Sequence, residues 1–226
     1  MGSITGVCAD PPRGEKAAQP FFDIPLMRLV LASGNRGKLA ELRGLLADLP
    51  LQLQALSDFT AEAAEETAPT FVENAILKAR FAAEASGLPA LADDSGLEVD
   101  ALAGAPGVRS ARYAGPAADD AANRARLLRE LAGLPAERRT ARFRCVLVFV
   151  RHAADPWPQV FTGTWEGQIA TAEAGEHGFG YDPLFWLPQR GLTAAQLAPN
   201  EKARVSHRAQ AAAALRAFLQ ERLAGA

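Results

Sequence analysis

Arg28-Leu29-Val30-Leu31-Ala32-Ser33-Gly34-Asn35-Arg36-Gly37-Lys38 sets the architecture, with Leu39, Leu42, Leu45, Leu46 and Leu49 following at helical spacing. An apolar strand that passes through a glycine loop into a helix is the opening unit of an α/β fold. It is also a phosphate-binding arrangement. Gly34 and Gly37 let the backbone approach a ligand, the free N–H groups and helix dipole favour an anion, and Lys38 adds a full charge. The loop is not a Walker A motif, because the four-residue gap is missing and Leu39 stands where Ser or Thr would meet magnesium. A purely structural turn is an equal reading, although Asn35 and Lys38 are more polar than a turn requires.

Leu91-Ala92-Asp93-Asp94-Ser95-Gly96 is the second stretch, two carboxylates and a hydroxyl at the end of an apolar run. Adjacent Asp residues repel each other and favour turns, so they need a cation or hydrogen-bond donors. Mg2+ suits them, since it takes oxygen ligands and accepts one or two carboxylates completed by water and phosphate. A solvated Asx turn is the rival reading. Leu97 to Leu102 alternates as a strand, so residues 89–102 are expected to form a hairpin with an acidic tip.

Between these stretches lies an acidic loop with Glu62, Glu65 and Glu66. Thr70-Phe71-Val72-Glu73 is a capping box opening a helix whose Val72, Ala75, Ile76, Ala79 and Ala83 share one face, ending near Gly87. Asn74 and Lys78 lie four apart on another face, where the lysine can reach a phosphate, an isolated surface lysine being the commoner reading. Residues 104–115 read as a long irregular loop, and Asp119 to Leu131 as an amphipathic helix. Phe143 to Val150 and Gln159 to Gly167 read as antiparallel strands of a second sheet region. The arginines at 138, 139 and 142 lack the interleaved aromatics of a nucleic-acid face and read as a solvated strand edge.

Gly175 to Trp186 is the third informative stretch. Gly178 and Gly180 flank Phe179, so its ring can be presented to a nucleobase, and Asp182 can accept from base N–H groups. The rival is a tight turn with Phe179 in the core. Ser206 caps the last helix, and His207 and Arg208 in its first turn oppose the dipole, which favours an anion or a carbonyl ligand as their partner.

The 226 residues suit one large domain or two joined lobes, and a formal charge of -2 argues against a nucleic-acid coat protein. Cys8 and Cys145 form no C-x-x-C pair, which fits a reducing cytoplasm. No run approaches a membrane span. Residues 1–26 have no apolar periodicity and are expected to be a disordered extension. Regular patterning begins at Met27, an alternative start.

Taken in order, Ser33 to Lys38, Ala64 to Thr67, Phe71 to Arg80, Ala92 to Leu97, Gly104 to Gly107, Ser110 to Tyr113, Gly178 to Pro183 and Ser206 to Arg208 resemble the inosine/xanthosine triphosphate pyrophosphatase family. Each motif is weak alone, but the ordered set spans about residues 28–223. The resemblance implies an α/β fold, a long mixed sheet with flanking helices forming two lobes around a central nucleotide-binding cleft, over residues 27–226. It implies hydrolysis of ITP, dITP and XTP to the monophosphate and pyrophosphate with Mg2+, in a cytoplasmic homodimer.

Carried over residue by residue, Ser33, Gly34, Asn35, Arg36, Gly37, Lys38 and Lys78 hold the phosphates. Glu66 and Asp94 serve the metal, Asp94 activates water with Asp93 beside it, and Ser95 contacts substrate. Phe179, Gly180, Tyr181, Asp182, Lys202, His207 and Arg208 line the base and sugar side. Two rivals stand: a sister pyrophosphatase of pyrimidine triphosphates, which would carry paired arginines where this chain has Gly37-Lys38, and a non-catalytic nucleotide-binding module, which would lack the carboxylates.

Overall fold

The structure, a computed structural model, describes residues 26–224. The expected extension therefore lies, apart from Leu26, outside the described residues. Strands β1 (Met27–Ala32), β2 (Leu51–Ala55), β3 (Ala90–Val99), β4 (Thr140–Val150), β5 (Gln159–Ile169), β6 (Phe185–Leu187) and β7 (Leu192–Thr193) form one mixed sheet in the order β2-β1-β3-β4-β5-β6-β7. β1 pairs in parallel with β2 and β3, and the remaining neighbours are antiparallel.

The helices are α1 (Arg36–Leu45), α2 (Phe71–Ser86), α3 (Asp120–Glu130), α4 (Pro199–Val205) and α5 (His207–Ala224). Their ends follow local chemistry. The Asn35 side chain accepts from the Lys38 N–H to start α1, Thr70 accepts from the Glu73 N–H to start α2, and Gly87 at φ +67° ends α2.

Alternation along β3 and β4 sorts their side chains onto two faces. Leu91 and Leu147 pack with Leu42 and Leu46 of α1 and Leu215 and Leu219 of α5, whereas Ala90, Ala92, Val146 and Val148 pack against the alanines of α2. Further along the same strands, Leu97, Val99 and Phe143 join a third cluster with Leu127, Trp165 and Phe185. The long strands thus run through all three clusters, two of them on opposite faces of the sheet. Burying each such leucine fully stabilises the fold by roughly 1.5–3 kcal/mol.

Three expectations are corrected. Residues 89–102 do not form a hairpin: Asp93 and Asp94 lie in the middle of β3, which pairs with β4 from Ala90 to Val99. Turn propensity is overridden because cations from distant elements neutralise both carboxylates. Nor, among the described residues, is there a second sheet region, since β4 and β5 continue the first. Arg139 is buried rather than solvated, and donates to the backbone oxygens of Leu131, Ile169 and Ala170 at 2.7–2.8 Å. The irregular 104–115 segment includes a 3₁₀ turn at Gly107–Arg112, whose Ser110 receives the Leu97 N–H.

Candidate active site

β1 ends its pairing at Ala32 opposite Ala92, while β3 continues for seven residues to Val99. Past Ala92, that edge of β3 opens into a cleft at the carboxyl ends of the parallel strands, where α/β sheets hold ligands. Asn35, Lys38, Ser95, Phe179, Asp182, Lys202, His207 and Arg208 line the cleft together. Gly180 and Tyr181 line it too.

Asp93 points to the α1/α5 face. Its Oδ1 meets Lys38 Nζ at 2.7 Å and accepts from Ser95 Oγ at 2.6 Å, and its Oδ2 accepts from Arg208 Nε at 2.7 Å. Burial pushes this carboxyl up, but Arg208 and Lys38 overcome that and hold it well below the usual carboxylate range. Asp93 is therefore a fully engaged anion that fixes two cations. It is not the residue with a free oxygen.

Asp94 points to the α2 face. Oδ1 accepts from Lys78 Nζ at 2.7 Å, whereas Oδ2 is buried with no hydrogen-bond partner among the described residues. Burial raises its pKa against the pull of Lys78. The same ammonium donates to Glu66 Oε1 at 3.1 Å and to the Asp93 carbonyl at 2.8 Å. Glu66 shifts the other way: Lys78 and Arg112 outweigh its burial and lower it. Two carboxylates on one lysine thus have separated acidities, the pattern expected of groups with different tasks. An unpartnered buried carboxylate oxygen is costly and calls for a cation or a water. Asp94 and Glu66 supply hard oxygen donors suited to Mg2+. Among the described residues no three His, Cys, Asp or Glu side chains converge, so phosphate and water would complete the shell.

The far end of the cleft is held by ion pairs that the sequence did not single out. Glu41, one turn after Lys38 on α1, accepts from Lys202 Nζ at 2.9 Å through Oε1 and from Arg208 through Oε2. The i, i+3 spacing of Lys38 and Glu41 was a usable signal. Lys202 also donates to Asp182 Oδ2 at 2.6 Å, and the Phe179 N–H donates to the same oxygen at 2.9 Å. That Asp182 oxygen is thus already taken, contrary to the expectation that Asp182 waits for a base. Lys202 uses two of its three protons and keeps one for the cleft.

His207 stacks on Phe143 at 4.8 Å between ring centroids, and its Nδ1 is buried without a partner among the described residues. Burial, with Arg208 adjacent, holds the ring neutral by lowering its pKa well below 6.5. Phe179 lies over Gly37, where any Cβ would come within 2.6 Å of the ring, and Gly178 and Gly180 flank it at φ +79° and +61°. The ring is half-exposed on the cleft wall rather than in the core. Gly180 is tied to α3 by its N–H to Asp120 and its carbonyl to Arg124, and Tyr181 donates to the Ser110 carbonyl at 2.9 Å. Tyr181 is buried and acts as an anchor for the loop. Ser33 accepts from the Asn35 N–H, and Gly34 is open, with space around it. Of the expected phosphate loop only Asn35 and Lys38 line the cleft; Ser33, Gly34, Arg36 and Gly37 do not, and Gly34 and Arg36 are exposed.

The Ham1 family model matches residues 29–218. A dITP/XTP pyrophosphatase of Photobacterium profundum is 54% identical over 196 residues, covering 87% of this chain and all of that protein. One of Yersinia pseudotuberculosis is 58% identical over 186 residues, 82% of this chain and 94% of that one. A HAM1 protein from Coxiella burnetii has a similar structure, with TM-score 0.80, 48% identity, and coverage of 86% of this chain and 99% of that chain.

Proposed function

The chain belongs to the Ham1 family, and on that premise we propose that it hydrolyses the deaminated purine nucleotides ITP, dITP and XTP to the monophosphate and pyrophosphate. The names of its relatives support this substrate class. The observation that carries it is the Asp94 Oδ2, without a partner among the described residues, beside Lys78 and Glu66 and next in sequence to Ser95, which lines the cleft with Phe179 and the neutral His207.

The triphosphate lies along the N-terminus of α1, with Lys38 and Lys78 neutralising oxygens that gain charge as the bond to pyrophosphate breaks. Asp94 holds and deprotonates the water that attacks in line at the α-phosphorus. A free carboxylate near 3.9 is a weak base, and the raised pKa of Asp94 brings it nearer its task. Mg2+, held by Asp94 and Glu66, would supply charge neutralisation and a more acidic water. Phe179 stacks on the base. The free proton of Lys202 and the neutral His207 face O6 of hypoxanthine or xanthine, an acceptor; the 6-amino group of adenine leaves them unpaired, which costs on the order of 10^4 in selectivity.

Residues 27–226 form one catalytic unit in this reading, working as a homodimer in the cytoplasm. The chain's isolated cysteines and its nucleotide-pool substrate support that location, and no described helix is long and apolar enough to cross a membrane. The direct test incubates ITP with the protein and Mg2+ and resolves the products. IMP with pyrophosphate is the expected pair; IDP with phosphate overturns the reading.

A further inference from the structure

Glu66 lies on a segment with little to hold it. Among the described residues, no backbone-to-backbone hydrogen bond ties residues 61–69 to the rest of the chain, and the segment has no regular secondary structure. Besides Lys78 at Glu66 Oε1 and the Thr60 hydroxyl at the Glu62 N–H, two side chains hold it. Arg112 donates to Glu66 Oε2 at 2.6 Å and to the Glu66 carbonyl at 3.3 Å. Asn74, on the first turns of α2, takes both polar groups of one residue. Its Oδ1 accepts from the Ala68 N–H at 2.9 Å and its Nδ2 donates to the Ala68 carbonyl at 3.1 Å.

Asn74 is only 1% exposed and does not line the cleft. A buried amide is unfavourable unless both its ends are bonded, and both ends are bonded two residues from Glu66. The arrangement recurs across the site. Asn123 of α3 accepts from the Ala114 N–H at 2.7 Å and donates to the Ala111 carbonyl at 3.1 Å, clamping the turn that carries Arg112. Each of the two residues that meet in the Glu66–Arg112 pair is thus fixed by a buried asparagine from a different helix.

We propose that Asn74 is a positioning residue for Glu66, holding its carboxylate against Lys78 so that it is ready for the divalent ion. The metal part rests on the function proposed above; the clamp itself does not. Residues that orient a metal ligand characteristically affect metal affinity or activity by about 10–100-fold when changed. A side chain that merely filled space in α2 would affect stability without affecting metal dependence.

The test uses the full chain with Asn74→Ala, alone and together with Glu66→Gln, and two readouts. Backbone 15N order parameters at Glu66 and Thr67, measured without metal or nucleotide, are expected to fall from about 0.85 in the parent to below about 0.6 in Asn74→Ala. The Mg2+ concentration for half-maximal pyrophosphate release from ITP is expected to rise about tenfold, with kcat retained at saturating Mg2+. In the Glu66→Gln background, Asn74→Ala is expected to shift the Mg2+ requirement no further. Unchanged order parameters overturn the proposal, as does an equal effect of Asn74→Ala in both backgrounds. If Asn74→Ala does not fold, Asn74→Asp, which keeps the volume and the acceptor for the Ala68 N–H, undergoes the same two measurements. Should the parent release no pyrophosphate, the proposed function falls, and the order parameters alone decide the clamp.

Discussion

Asp93 and Asp94 are adjacent on β3, yet their carboxylates serve opposite faces of the sheet, Asp93 bound by Lys38 and Arg208 and Asp94 by Lys78 alone with one oxygen unpartnered. The strand's two-residue repeat converts a neighbouring pair in sequence into two separate groups in space. One organises the cleft, and the other is available for chemistry.

The first prediction separates them. Asp94→Asn is expected to lower kcat for pyrophosphate release by about 10^2–10^4-fold, the range for loss of a general base, while the protein stays folded. Asp93→Asn leaves the buried Arg208 and the half-buried Lys38 short of a partner, at a cost of about 3–5 kcal/mol. Thermal denaturation should show that as a Tm lower by on the order of 10 °C. Full turnover in Asp94→Asn would remove it as the base.

A second prediction concerns pH and stability. His207 is buried and neutral, with a folded-state pKa well below 6.5. Below that value the unfolded chain takes up a proton that the native chain does not, so stability falls as the pH drops and continues to fall until the native pKa is reached. Between pH 6.5 and 5.5 this amounts to about 1 kcal/mol. Urea unfolding of the parent and of His207→Gln at both pH values checks it: the parent should lose about that much more than the variant. Parallel losses would mean that the native histidine titrates normally.

The third prediction addresses the aromatic wall. Phe179→Ala is expected to raise KM for ITP by about 5–150-fold, corresponding to about 1–3 kcal/mol of base stacking. Gly37→Ala places a methyl group where the ring now sits, and it should raise KM in the same direction with little change in kcat. An unaltered KM in both would remove Phe179 from the base site.

These residues differ in how legible they were. The strand, loop and helix around Ser33 to Lys38 were readable because apolar spacing, glycines and a capping asparagine are local signals. The acidic stretch was misread as a hairpin tip because its neutralising partners, Lys38, Lys78 and Arg208, come from three other elements. Arg139 looked solvated for the same reason, its carbonyl partners lying in other segments. Asp182 was identified as a cleft residue, but nothing in the sequence says that Lys202 already occupies one of its oxygens. Glu41 and the clamp at Asn74 act by contact across the fold, which spacing alone suggests but does not assign.

Base selectivity is tested by kcat/KM for ITP, XTP, dITP, GTP, ATP and dTTP with Mg2+, following pyrophosphate. ITP, dITP and XTP are expected to be preferred over ATP by on the order of 10^4. Equal values for ITP and ATP, or a preference for dTTP, would contradict the proposed function.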